Sequence, residues 1–196
     1  MELQHVNVKL LVKDPDGLDL ERLIPVFHSW IQGQIFDERL LDIADYRHVH
    51  HGPGVVLIGH EGDYSVDNTD GRLGVRYNRK TPLDGSNEDR LKQAARAVLN
   101  ACQRLEAEPN LDGKLCFNGQ DIEIFINDRL VAPNREETRK EFDSDFKNFA
   151  EVLFRRKAYS SSNDIDPRKL LTVFLKAHQS FAVAELLENL TESDDS

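Results

Sequence analysis

Polar and apolar positions alternate along residues 5–12, placing Val6, Val8, Leu10 and Val12 on one face, and Asp14-Pro15-Asp16-Gly17 supplies turn chemistry directly behind them. This predicts a half-buried first strand. Val26, Phe27, Trp30 and Ile31 then follow helical spacing, with Pro25 in a first turn where its missing N–H costs nothing, so a short helix is expected over about 25–34 after a helical turn near 20–23. Residues 40–49 and 55–60 read as strands, the second with apolar side chains on both faces and therefore central. Gly59 and Gly62 mark a bend.

A hairpin is predicted around Asn68-Thr69-Asp70-Gly71, with Tyr64, Val66, Leu73, Val75 and Tyr77 on one face and Asp67, Arg72, Arg76 and Asn78 on the other. Ser86 followed by Asp89 starts a helix whose Leu91, Ala95, Val98, Cys102 and Leu105 recur at helical spacing until Pro109-Asn110. A strand pair is expected at 115–118 and 122–126. Asn134 with Glu137 then reads as the cap of a helix carrying Phe142, Phe146, Phe149 and Leu153.

Beyond Arg155 the pattern changes. Residues 155–163 are polar and aperiodic, which predicts a linker, and 164–190 carry an apolar stripe of Leu170, Phe174, Ala177, Phe181, Ala184 and Leu187, which predicts an amphipathic C-terminal helical segment. Residues 191–196 are expected to form an acidic disordered tail. The whole predicts an α+β core over 1–154, with an antiparallel or mixed sheet of about five to seven strands covered by about three helices, plus that helical segment.

Composition changes this picture little. The chain has 196 residues, and no apolar run approaches the ~20 residues of a membrane-spanning helix. The opening residues do not read as a secretory leader, so a cytoplasmic, bacterial-type setting is expected. Two cysteines, both read as small buried hydrophobes, make neither a disulfide framework nor a zinc site. A formal charge of −10 opposes binding to nucleic acid, and no membrane partner is expected.

Residues 48–64 hold four of the seven histidines around Gly52-Pro53-Gly54. His48, His50 and His51 are separated from His60, Glu61 and Asp63 by an extended strand of ~20 Å, so no shared metal site follows and the first three are expected to be exposed. The glycines precede a strand, whereas phosphate-cradling loops follow one and open a helix. Arg72, Arg76, Arg79 and Lys80 put several cations on one hairpin, with Asp67 as a cross-strand partner, and form the best anion site in the chain. Asp45, on the row of Leu41 and Ile43, is expected in a polar cluster with Arg47, Arg76 or a histidine. His60, Glu61, Asp63 and Tyr64 at the bend are the remaining candidates. No nucleophile elbow, metal set or cofactor motif is present, and no catalytic residue is assigned. The expectation is a binding or regulatory protein acting through protein–protein contacts or self-association by residues 164–190, with a small anionic ligand also accommodated. The alternative is an anion- or metal-dependent enzyme built on the 60–64 bend and the Arg72/Arg76 row.

Overall fold

A computed structural model describes residues 2–192. Eight strands, β1 (Val6–Val12), β2 (Leu40–Tyr46), β3 (Gly54–Gly59), β4 (Gly62–Asp67), β5 (Gly74–Arg79), β6 (Phe117–Ile126), β7 (Tyr159–Asn163) and β8 (Leu171–Ala177), form one sheet in the order β2-β3-β4-β5-β1-β6-β8-β7. Every neighbouring pair is antiparallel. Among the described residues four α-helices accompany it: α1 (Leu23–Gly33), α2 (Asn87–Glu106), α3 (Glu136–Leu153) and α4 (Val183–Glu192). The α+β class is as expected, but the sheet has eight strands and four helices accompany it.

The period-2 pattern decides which face is covered. Residues directly opposite one another share a face, and the row Ile43, Leu57, Tyr64, Tyr77, Val8, Ile124, Val173 crosses seven strands. All but Ile43, which is half-buried, are buried. On this side α2 packs against β1 and β5, α1 against β2 and β3, α4 against β6, and α3 against β8. The Ser86–Asp89 capping box forms as the sequence predicts, and Leu91, Ala95, Val98, Cys102 and Leu105 of α2 are closed to water.

Four expectations are corrected. The supposed strand pair at 115–126 is one strand, β6, kept continuous past Gly119, whose φ of 62° and closeness to the Phe181 carbonyl leave no room for a side chain. Residues 159–163, expected within a linker, form edge strand β7. Its serines and Asn163 are exposed, because an edge needs only backbone pairing on one side. The expected helical segment at 164–190 is divided into strand β8 and helix α4. Leu171, Val173, Leu175 and Ala177 alternate inward at period 2, which the looser helical stripe through Leu170, Phe174 and Ala177 concealed. Asn134 does not cap α3. Its side-chain amide donates to the carbonyls of Asp164 (3.0 Å) and Asp166 (2.9 Å), and Arg135 takes the cap position without a side-chain bond. A further correction concerns the cysteines, both expected to be buried: Cys102 is, whereas Cys116 is exposed. Thr191 and Glu192 end α4, and residues 193–196 of the expected tail lie outside the described residues.

Candidate functional site

The face of the sheet away from the helices carries the chemistry. One register row on this side runs Ala44, Val56, Ser65, Arg76, Lys9, Glu123, Phe174, Ser162 across all eight strands, so three charged side chains stand shoulder to shoulder at its centre. Such a row buries charge only with partners. Lys9, 0% exposed, donates from Nζ to Asp67 Oδ1 at 2.6 Å. The path of its stem is set by Gly74, opposite Asp67, where an added Cβ would lie 3.0 Å from Lys9 Cγ and Cε. Asp67 also accepts from the Thr69 amide (3.1 Å) and hydroxyl (2.9 Å), and Arg76 stands 3.9 Å away. Arg76 lies over the Phe125 ring at 4.5 Å, and Arg72 over Phe174 at 5.4 Å. Arg72 Nε contacts Glu123 Oε1 at 2.5 Å as an ionic contact rather than an aligned hydrogen bond. Burial pushes the Glu123 carboxyl above its ordinary range in spite of Lys9 and Arg72, and it lowers the Arg76 guanidinium despite Asp67 and Glu123.

Two loops build walls above this floor. Residues 127–135 follow β6 and residues 164–170 precede β8, and Asn134 binds one to the other. Lys169 reaches Asp164 (3.1 Å) and Asp70 of the β4–β5 turn (3.6 Å). The start of β8 lies beside the end of β6, whereas the β4–β5 turn lies at the other end of β1, so this contact crosses the open face. The result is a cleft of about 560 Å³, within the usual range for small-molecule sites. Six lining side chains are cationic (Lys9, Arg72, Arg76, Arg129, Arg168, Lys169) and three acidic (Asp70, Glu123, Asp164), in a chain whose net charge is −10. Arg168 is held bidentately by Asp166, whereas exposed Arg129 makes no ion pair or hydrogen bond among the described residues. Phe125, Phe174 and Leu170 give the cleft an apolar part.

Only Arg72 and Arg76 of the sequence candidates lie here. Glu61, Tyr64 and Arg79 meet in a second cleft of about 460 Å³ against α2, with Glu38, which the sequence reading missed. The Tyr64 hydroxyl donates to Glu38, and Glu38 Oε2 and Glu61 Oε2 are buried without a hydrogen-bond partner among the described residues. Burial raises the Glu38 carboxyl, helped by Glu61 and opposed by the Tyr64 bond and Arg79. Asp63 and Lys80 pair with each other at 2.7 Å. His60 is exposed, 3.4 Å from Glu61. Asp45 is paired with Arg47 (2.9 and 2.8 Å), which holds its carboxyl at about 2. Arg47 is one of its expected partners, but the cluster is not buried: although Asp45 shares the row of Val55, β2 is an edge strand and leaves it exposed. His48, His50 and His51 are exposed, as expected. No group of three or more metal-ligating side chains is assembled among the described residues.

The sequence reading also missed Lys9, Glu123, Arg129, Arg168 and Lys169. Lys9 and Glu123 were legible in principle as charged residues alternating with Val and Ile inside strands, where each needs a partner. The loop cations carry no periodic signal. No protein family, no curated protein and no solved structure matches the chain.

Proposed function

We propose that the protein binds a small anionic ligand in the open-face cleft. The observation that carries this reading is the convergence of six cationic side chains from four separate parts of the fold on one concavity, against an acidic background. Convergent guanidinium and ammonium donors beside the apolar patch of Phe125, Phe174 and Leu170 suit an anion with an apolar or planar body, because charge-assisted hydrogen bonds orient it and ring contacts add area. Self-association or a protein partner through 164–190 draws less support, since the apolar residues of β8 and α4 are largely used within this chain's own core. A catalytic role belongs, if anywhere, to the second cleft, where Glu38 and Glu61 face Tyr64 and Arg79.

Titration calorimetry with inorganic phosphate and pyrophosphate tests the binding reading. Binding of one anion per chain, weakened at least tenfold in the Arg72→Gln, Arg129→Gln double variant and falling with added salt, is the expected result. Both side chains are exposed, and because Arg72 contacts the buried Glu123, a urea melt of the variant checks that the fold survives the change. Absence of heat with either anion sinks the reading.

A further inference from the structure

Two of the most solvent-exposed large apolar side chains sit on the two loops that wall this cleft. Leu130 is 97% exposed and Ile165 76%, and each is the chain neighbour of a residue that lines the cleft, Arg129 and Asp164. They sit on different loops, which the buried Asn134 side chain ties together through two backbone carbonyls. Single exposed hydrophobes are common, but a pair held in place beside a cationic cleft is an apolar rim next to an anion site.

The cations surround the mouth rather than forming one fork. Arg72 comes from the turn before β5, Arg129 from the loop after β6, and Arg168 and Lys169 from the loop before β8. A planar carboxylate is satisfied by one guanidinium, whereas a phosphate presents oxygens in several directions and takes donors from several sides.

Resting on the anion-binding reading above, we infer that the ligand is amphipathic: a phosphate monoester whose phosphate is held by these cations and whose apolar chain runs out over Leu170 and beneath Leu130 and Ile165. The same chemistry is offered by a soluble alkyl phosphate and by a phosphatidate headgroup in a bilayer.

A homologous series separates these cases. Inorganic phosphate, ethyl phosphate, hexyl phosphate and octyl phosphate, each below its aggregation concentration, are titrated into the full chain. Affinity should rise by up to about fourfold per methylene buried and level off once the rim is covered. In the Leu130→Ser, Ile165→Ser double variant the gain should shrink while the affinity for inorganic phosphate stays the same. Cosedimentation with phosphatidylcholine vesicles, with and without phosphatidic acid, then identifies the source. Capture that needs both phosphatidic acid and the two apolar residues assigns a lipid, and alkyl phosphate binding without vesicle capture assigns a soluble ligand. Either result supports an amphipathic anion. Binding of inorganic phosphate with no dependence on chain length overturns the inference and leaves the anion reading standing, whereas failure of every anion to bind overturns both.

Discussion

Lys9 shows what a single charge inside a sheet demands. Its ammonium group is closed to water and held by Asp67, which the Thr69 amide and hydroxyl hold in turn. Removing one member of such a pair strands the other, so Lys9→Ala should cost about 3–5 kcal/mol in urea unfolding, while the paired change Lys9→Met, Asp67→Leu should recover most of it. Equal losses in the single and double variants would show that packing rather than the ion pair is at stake. Glu38 makes the opposite demand. Burial raises its carboxyl above the unfolded value, so the folded state binds the proton more tightly. The resulting stability is complete below the ordinary glutamate range and is lost as pH rises through the folded value. Glu38→Gln should therefore flatten the fall in stability that sets in as pH rises above the ordinary glutamate value, where Glu123 contributes a fall of the same sign. Asp45 and Asp166, each held at about 2 by an arginine, act the other way, and their contribution disappears as pH falls from the ordinary aspartate range toward 2. A pH profile of Glu38→Gln parallel to that of the wild type would refute the assignment to Glu38.

The elements differ in how much of themselves they write into the sequence. Helix α2 states itself fully: a Ser86–Asp89 box, then one apolar residue every three or four positions from Leu91 to Leu105. Leu91→Ala and Leu105→Ala, at sites 0% and 1% exposed, should each cost about 2–5 kcal/mol in chemical denaturation; losses under ~0.5 kcal/mol, the range of ordinary surface changes, would place the face in solvent. The hairpin of β4 and β5 was equally legible, because its alternation and turn residues are local. What escaped was set by distant partners. β6 reads as two strands until Gly119 is seen against the Phe181 backbone, whose amide also donates to the Asn118 carbonyl at 2.9 Å. Gly119→Ala should destabilise more than the ~0.5–1 kcal/mol of a helix-interior glycine contrast, since both the positive φ and the collision must be relieved. A neutral effect in thermal melts would mean that the strand is not anchored there. The candidate site followed the same division. Arg72 and Arg76 were found from hairpin alternation, whereas Arg129, Arg168 and Lys169 meet them only because strand order carries two remote loops across one face.

At the scale of the molecule, the decisive question is whether residues 159–192 are an appendage or part of one cooperative unit. β8 pairs with β6 along six positions, and β7 closes that side of the sheet with Tyr159 packed on Phe154 at 5.8 Å. Helix α4 meets α2 and α3, where Asn189 donates to the Leu153 carbonyl at 2.8 Å and Arg96 to the Leu190 carbonyl at 2.6 Å. Leu171, Val173, Leu175, Phe181, Leu186 and Leu190 are all buried. At roughly 1.5–3 kcal/mol for full burial of each such side chain, together they bring in about as much as the 5–15 kcal/mol of net stability typical of a whole domain. Truncation after Ala158 also uncovers the full edge of β6 and removes the loop that carries Arg168 and Lys169, so it should abolish both the fold and the anion cleft. The truncated chain is expected to lose its cooperative thermal transition and to aggregate, and the full chain should melt in a single transition by both circular dichroism and tyrosine fluorescence. A truncated chain that stays monomeric by light scattering and melts cooperatively at the full-length temperature would show that 1–158 folds alone. The eight-stranded sheet would then be a six-stranded domain with a docked hairpin, and the cleft would depend on that docking.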